Sequence, residues 1–405
     1  MARVFVGHDW AENHHDVFVE DGEGRRLGGG RVPDGVEGVA GFHELVGVLV
    51  EDPAEVVVAT ETDRGLFVGS LVAAGYRVLA VNPLSVSRYR ERHSTSGAKS
   101  DPGDARVLAE LARTDHHNHR PIAGDSELVT SIKVLTRAHQ GLIWTRQRQL
   151  NQLRSTLREF YPAAIAAFPE LGHSDALAAL AIAPTPSLGQ RLSISKIAAA
   201  LRRGGRQRRI DERAREIQIA LRSDQLGPPD LVSESMGTVV KALVAVAGEL
   251  STQIAALELE LAARFDQHPD AKVIRSLPGL GMILGARVLA EFGDDPNRYA
   301  DAKSRKNYAG TSPITRASGH SHVVLARYAR NKHLADACYL GAFAALNASP
   351  GARTFYDAPR RTGNTHNRAL RALANRLVGI LHGCLRHRTL HDEHIAWAHH
   401  TQLAA

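Results

Sequence analysis

Cysteine is almost missing from this 405-residue chain. Cys338 and Cys384 are the only two, which excludes a disulfide framework and a cysteine-type zinc centre. Long apolar stretches are lacking as well. None approaches the roughly 18 residues of a membrane helix, and the start, Met1-Ala-Arg-Val-Phe5, does not have the shape of a secretion signal. The expectation is a chain with no membrane partner. Histidine is plentiful, at 21 residues, but sits mostly in polar loops and tails such as Asp115-His-His-Asn-His119 and His399-His400, where it reads as solvated polar surface. The 50 Lys+Arg outnumber the 43 Asp+Glu, giving a formal charge of +7 that permits a nucleic-acid partner. Arginine dominates, and its planar fork suits phosphate. Distribution says more than the total: acids are frequent in the first hundred residues, while 137–158 and 202–222 are strongly basic.

At this length two or three domains are expected. Three β-like runs open the chain, Val4–His8, Asp16–Glu20 and Arg25–Val32, joined by turn residues. A helix over Val36–Leu49, a strand over Glu55–Thr60, a helix over Leu66–Ala74 and a strand over Arg77–Val81 follow. A last helix, Pro102–Arg113, has Asp101 at its N-cap and Pro102 at its first position. The order β-β-β-α-β-α-β-α predicts an α/β domain of the RNase H type over 1–122. Two long heptad-bearing helices, Glu127–Phe160 and Ser233–Phe265, predict a helical arm over 123–270, either an antiparallel hairpin or a dimerising coiled coil. Between them, 163–229 is rich in Ala, Arg and Pro and reads as partly helical. Residues 271–405 are expected to form a mainly helical C-terminal domain.

Four carboxylates stand out in the first domain. Asp9 ends the run Arg3-Val-Phe-Val-Gly-His-Asp9, and Glu61 ends Glu55-Val-Val-Val-Ala-Thr-Glu61. Asp101 and Asp104 lie three apart in Lys99-Ser-Asp-Pro-Gly-Asp-Ala105. Acids at strand ends plus an i, i+3 pair on a helix can converge on one point. Two Mg²⁺ (or Mn²⁺) ions about 4 Å apart need such a set to clamp a phosphodiester. Asp16, Glu12, Asp63 and Glu91 are substitutes for single members of the set.

In the last third, Ile274-Arg-Ser-Leu-Pro-Gly-Leu-Gly281 followed by an Ala286–Phe292 helix has the shape of a helix-hairpin-helix turn. Gly279 and Gly281 would let backbone N–H groups approach phosphate. Downstream, Asn307-Tyr-Ala-Gly-Thr-Ser-Pro-Ile-Thr-Arg-Ala-Ser-Gly319 is turn-rich and flanked by Arg305, Lys306, Arg316, Arg327, Arg330 and Lys332, all candidates for contact with nucleic acid. Ser318, before Gly319, is a candidate nucleophile whose attack the cations would stabilise. Ser312, before Pro313, is its rival. No nearby His or Asp completes a triad with Ser318.

These motifs together resemble the DEDD insertion-sequence transposases of the IS-one-ten family, which also includes a pilin-gene DNA invertase. The resemblance spans nearly the whole chain. It rests on Gly7-His-Asp9, Thr60-Glu61-Thr62, the 99–105 motif, Leu277-Pro-Gly-Leu-Gly281, Tyr308-Ala-Gly310, Pro313, Ser318-Gly319, Arg327 and Asn331-Lys-His-Leu-Ala335. It implies that Asp9, Glu61, Asp101 and Asp104 bind divalent metal in a RuvC-like domain, and that Ser318 forms a transient 5′-phosphoserine link to DNA. It further implies guidance by a noncoding RNA encoded by the element. Dimers and tetramers assembled through the arm, active sites shared between subunits, and a bacterial cytoplasmic, nucleoid-associated location are also implied. The sequence leaves two other readings open: a RuvC-like junction resolvase in which water attacks, and an inactive nucleic-acid-binding scaffold. The first explains only the N-terminal third; the second leaves the acids without a role.

Overall fold

β-branched residues in the first sixty positions build the centre of a sheet. The computed structural model describes residues 4–93, 100–119, 121–122, 124–296, 298–328 and 330–401, apart from the side chains of 399–401. Met1–Arg3 and Lys99, quoted above, lie outside these residues, as do the side chains of His399 and His400. The chain divides into two compact units, 1–125 and 126–405.

The first unit carries a mixed five-stranded sheet of order β3-β2-β1-β4-β5. Its strands are β1 (Val4–Trp10), β2 (His14–Asp21), β3 (Arg26–Pro33), β4 (Val56–Thr60) and β5 (Arg77–Ala80). β1, β2 and β3 pair antiparallel, while β4 runs parallel to both β1 and β5. The helices are α1 (Val36–Gly47), α2 (Leu66–Ala73), α3 (Pro83–His93) and α4 (Asp101–Asp115). α3 is an addition to the expected order.

Because successive residues of a strand point to opposite faces, the sheet buries two cores. Val4, Val6, Val56 and Val58 pack with Phe42, Phe67 and Leu71 of α1 and α2. Phe5, Val57, Ala59 and Leu79 pack with Val86 of α3 and Leu108 and Leu111 of α4. Gly7 decides how close α4 comes. A Cβ there would lie 1.7 Å from the Ala105 carbonyl oxygen and 2.5 Å from the Ala109 nitrogen. A glycine inside a strand often marks such a close backbone approach.

In the second unit α5 (Glu127–Phe160) and α11 (Asp230–Phe265) pair as an antiparallel hairpin within one chain. His139 Nε2 lies 3.1 Å from Glu258 Oε1, and Arg146 donates to Ser251 Oγ at 2.7 Å. Contrary to the expectation of no sufficiently long apolar segment, α11 contains an 18-residue window of mean hydropathy 1.4, enough by length and composition to cross a membrane. Its apolar positions instead feed two cores. At one end Val240, Leu243 and Val244 join Leu153 and Leu157 of α5. The rest of that core comes from α6 (Pro162–Ala167), α7 (Ser174–Ile182), α8 (Pro186–Gln190), α9 (Ile194–Arg203) and α10 (Ile210–Leu221). At the other end Leu261 and Phe265 join Val129 and Ile132 in the C-terminal core.

That C-terminal core holds α12 (Ala271–Ser276), α13 (Met282–Phe292), α14 (Ala302–Ala309), α15 (Lys332–Ala348), α16 (Pro350–Arg361), α17 (His366–His387) and α18 (Glu393–Thr401). Between α14 and α15 stands a two-stranded ribbon, β6 (Ile314–Ser318) and β7 (Ser321–Leu325). The α12–α13 turn contains Gly279 at φ 82°, where a Cβ would lie 2.1 Å from the Gly341 carbonyl oxygen of α15. This glycine is needed for close helix packing whatever else the turn binds. Gly281 caps α13 and has open space around it.

Candidate active site

Strand register brings the first two acids together. His8 pairs with Thr60 across the parallel β1–β4 ladder, so Asp9 and Glu61 are the next residues out on adjacent strands. Both continue the face that carries Phe5, Val57 and Ala59, the face covered by α4. Asp104 is buried on α4 at 5% exposure, and Asp101 is the first residue of that helix. The N-cap is Ser100, whose hydroxyl accepts from the Gly103 N–H, and not Asp101 as expected. The shift by one residue frees the Asp101 carboxylate from capping.

The electrostatics follow from these acids sharing one space. The Asp9 carboxyl is pushed up to about 6 by burial, and then by the charges of Asp104, Glu61 and Asp101. Like charges held together disfavour ionisation. Part of the charge is met by arginine: Arg90 of α3 is ion-paired to Asp104.

Asp16 faces Asp9 directly across the antiparallel β1–β2 ladder and is buried at 6% exposure. Arg31 donates to both its oxygens, at 3.2 and 2.8 Å, and approaches Asp101 at 3.8 Å. Ligand atoms of His14, Asp16 and Asp101 lie within 4.8 Å of one another. Asp101 therefore belongs to two neighbouring groupings, one with Asp9, Glu61 and Asp104 and one with His14 and Asp16. The donors are carboxylate oxygens plus one imidazole, a set that fits Mg²⁺ or Mn²⁺ better than a thiophilic ion. Of the other substitutes considered, Glu12, Asp63 and Glu91 are exposed. Asp63 pairs with Arg64 at 3.4 Å, and Glu91 accepts from Ser87 at 3.2 Å.

The opposite face of the same strand ends is fastened by a buried relay. His8 contacts Thr60 Oγ1 at 3.0 Å and His15 Nδ1 at 3.1 Å, and His15 Nε2 reaches Asp34 at 3.0 Å. Burial, and then the neighbouring His15, lower His8 to about 3, so it works as a neutral hydrogen-bonding group.

Within the second unit, Ser318 ends β6 and pairs with Ser321 across a two-residue loop in which Gly319 takes φ 54°. Its side chain is exposed, and no hydrogen bond to it occurs among the described residues. Ile314, Arg316 and Ser318 share one face of the ribbon. Val323, Val324 and Leu325 of β7 are exposed too. A lone two-stranded ribbon is only marginally stable in water. Ser312 lies at the other end of β6, in the wall of a cavity at the ribbon's foot.

The expected cations separate into groups. Lys306 and Arg327 line that cavity, while Arg330 and Lys332 line the adjoining one. Arg316 is exposed on β6. Arg305 stands apart, stacked on the Tyr299 and Phe292 rings at 4.7 and 5.0 Å, with burial lowering its pKa.

Comparison with known proteins fits this geometry. A DEDD transposase family model matches residues 6–162, and the model "Transposase IS116/IS110/IS902 family" matches residues 271–357. The mini-circle transposase for IS117 of Streptomyces coelicolor is 44% identical over 99% of this chain and 98% of its own length. The chain belongs to this transposase family. The IS110 43.6 kDa protein of S. coelicolor is 32% identical over 79% of this chain and 78% of its own length. The IS900 42 kDa protein of Mycobacterium paratuberculosis is 29% identical over 95% and 96%. Transposases are DNA-recombining enzymes, and DEDD-type domains bind divalent metals, which accords with the acidic cluster.

Three features of the transposase escaped the sequence. Gly7 was legible in principle, as a glycine amid β-branched residues. Arg31 and Arg90 gave no local signal, because each meets its acid only through tertiary packing. Arg368, Arg371 and Arg376 of α17 join Lys306 and Arg327 around the cavity, although forty to seventy residues separate them in sequence.

Proposed function

We propose that this insertion-sequence transposase cuts and rejoins DNA by metal-dependent transesterification, with Ser318 as nucleophile. The observation that carries the reading is the convergence of Asp9, Glu61, Asp101 and Asp104 at the end of β1, β4 and α4, expressed in the raised Asp9 pKa. The strand order and the helix crossing Gly7 support a RuvC-like nuclease domain. Divalent metal held by these acids would supply positive charge to the phosphodiester oxygens.

In the reaction the Ser318 oxygen bonds to the scissile phosphorus as the P–O3′ bond breaks. The 3′ oxygen leaves and gains the proton that the serine gives up. The reverse step, attack by a 3′-hydroxyl on the phosphoserine, restores the serine and makes the new phosphodiester. One ester replaces another, so neither water nor a nucleotide cofactor is consumed. Arg316, two residues before Ser318 on the same face, sets a positive charge beside the nucleophile. Guidance by a noncoding RNA and assembly of dimers or tetramers through the arm belong to the same reading. Their support is the family resemblance and the basic 137–158 and 202–222 stretches.

A duplex nicked near the scissile phosphate tests the chemistry. It is expected to trap a denaturation-resistant protein–DNA adduct that disappears in Ser318→Ala and persists in Ser312→Ala. An adduct lost only in Ser312→Ala would move the nucleophile to the foot of the ribbon. Free 5′-phosphate ends with no adduct would favour hydrolysis by a resolvase-type nuclease.

A further inference from the structure

At the foot of the ribbon, between α14 and α17, lies a cavity of about 410 Å³. Lys306, Arg327, Arg368, Arg371 and Arg376 line it, with Thr311, Ser312 and Asn375 supplying neutral polar groups; no Asp or Glu does. None of the five cations is in an ion pair among the described residues. Arg327 donates only to a neutral amide, Asn307 Oδ1, at 3.4 Å. Arg376 donates to the Ala396 carbonyl oxygen at 2.7 Å and lies over the Trp397 ring. The Nε atoms of Arg327 and Arg376 are buried without a hydrogen-bond partner.

Five like charges around one half-open cavity repel each other, and buried guanidinium donors left unmade cost stability. An anion with several acceptor oxygens removes both penalties, and arginine forks match phosphate in geometry. The cavity opens beside Pro313, Val324 and Leu325, where the ribbon begins. Ile314 and Ser318 stand four residue steps apart on β6. At ~3.3 Å per residue that is about 13 Å. Phosphates of one DNA strand rise ~3.4 Å per nucleotide and wind around the axis as they rise, which sets neighbours ~7 Å apart in space, so 13 Å spans about two nucleotides.

We propose that this cavity seats a backbone phosphate of duplex DNA about two nucleotides from the phosphate attacked by Ser318. The spacing rests on Ser318 being the nucleophile; occupation of the cavity by phosphate does not.

Two measurements on the full-length protein separate those parts. The first compares wild type with Arg368→Gln/Arg371→Gln for binding to a 30-base-pair duplex across a range of salt. Loss of one seated phosphate lowers the slope of log affinity against log salt by ~0.9. Arg371→Lys, which keeps the charge, is expected to retain the wild-type slope and serves as the check if the double variant fails to fold. An unchanged slope in a folded double variant overturns the seat. A changed slope for a structured RNA of equal length but not for the duplex overturns the DNA assignment.

The second measurement scans neutral methylphosphonates along the nicked duplex. Adduct formation by wild type is expected to drop at about the second position from the nick, and the double variant to be indifferent there. A drop at some other single position, abolished by the same variant, would keep the seat and overturn the spacing. If the salt slope responds but no adduct ever forms, the serine reading fails while the seat stands.

Discussion

Arg90 of α3 is ion-paired to Asp104 of α4, the most deeply buried of the four clustered acids. On the proposed metal-binding reading, this arginine offsets part of the acidic charge when no metal is bound. Arg90→Gln is expected to lower metal-free stability by about 3 kcal/mol, since breaking a buried pair leaves a charge uncompensated. Mn²⁺ then regains more stability in the variant than in wild type. Thermal melts with chelator and with Mn²⁺ measure both effects; equal metal-induced shifts in the two proteins would place Arg90 outside the site's charge balance.

Gly7 sets the distance between the carboxylates of the sheet and those of α4. Gly7→Ala forces a Cβ against the Ala105 carbonyl and pushes the helix off the strand. The expected cost is about 1–3 kcal/mol from overpacking, with metal-dependent DNA cleavage lost beyond what the destabilisation explains. A folded Gly7→Ala protein that cleaves normally would show that α4 tolerates the displacement.

The pH dependence has a definite sign. The Asp9 carboxyl is raised to about 6 in the folded protein from an ordinary 3.8. Between those values the folded state binds more protons than the unfolded state, so the contribution of Asp9 to stability falls as pH rises through the window. Asp9→Asn removes this penalty. In chelator the variant is expected to match wild type near pH 4, and to gain on it steadily up to about pH 6 and little beyond. His8, lowered to about 3, titrates in both proteins and drops out of the difference. A stability difference independent of pH would remove Asp9 from the cluster. On the proposed metal-binding reading, added divalent ion is expected to reverse the order, because a ligand carboxyl must be ionised.

The long arm separates core from surface. Leu243 is buried with Val240 and Val244 against α5 and its short-helix bundle, whereas Val239 and Val246 are exposed at 43% and 46%. Leu243→Asp is expected to unfold that bundle, since an unpaired charge would be buried there. Val239→Asp/Val246→Asp is expected to leave the melt unchanged and reduce the sedimenting mass of any oligomer built on that face. An unchanged mass assigns oligomerisation to another surface.

Hydrophobic periodicity and strand punctuation sufficed for the order of β1 to β5 and for both long helices, because each depends on contacts nearby in sequence. They did not settle whether α5 and α11 pair within the chain. Heptads describe a seam but not its owner, and Leu243 and Val246 read alike until one is buried and the other is not. The Asp101 cap slipped by one residue because Ser100 and Asp101 are equally good caps; only the hydrogen bond from the Gly103 N–H to Ser100 chooses between them.

The residue types at strand ends and at the start of α4 were set by the sequence alone: Asp9, Glu61, Asp101 and Asp104 were legible because strand and helix periods are local. Tertiary structure decided what those acids meet. Register puts Asp16 opposite Asp9, Gly7 lets α4 bring Asp104 down, and Arg31 and Arg90 arrive from other elements. The same holds in the second unit. Ser318 was visible as a residue before a turn glycine, but the cavity below it draws Lys306 and Arg327 together with three arginines of α17. Long-range packing, which no local pattern encodes, is what turns scattered charges into a site.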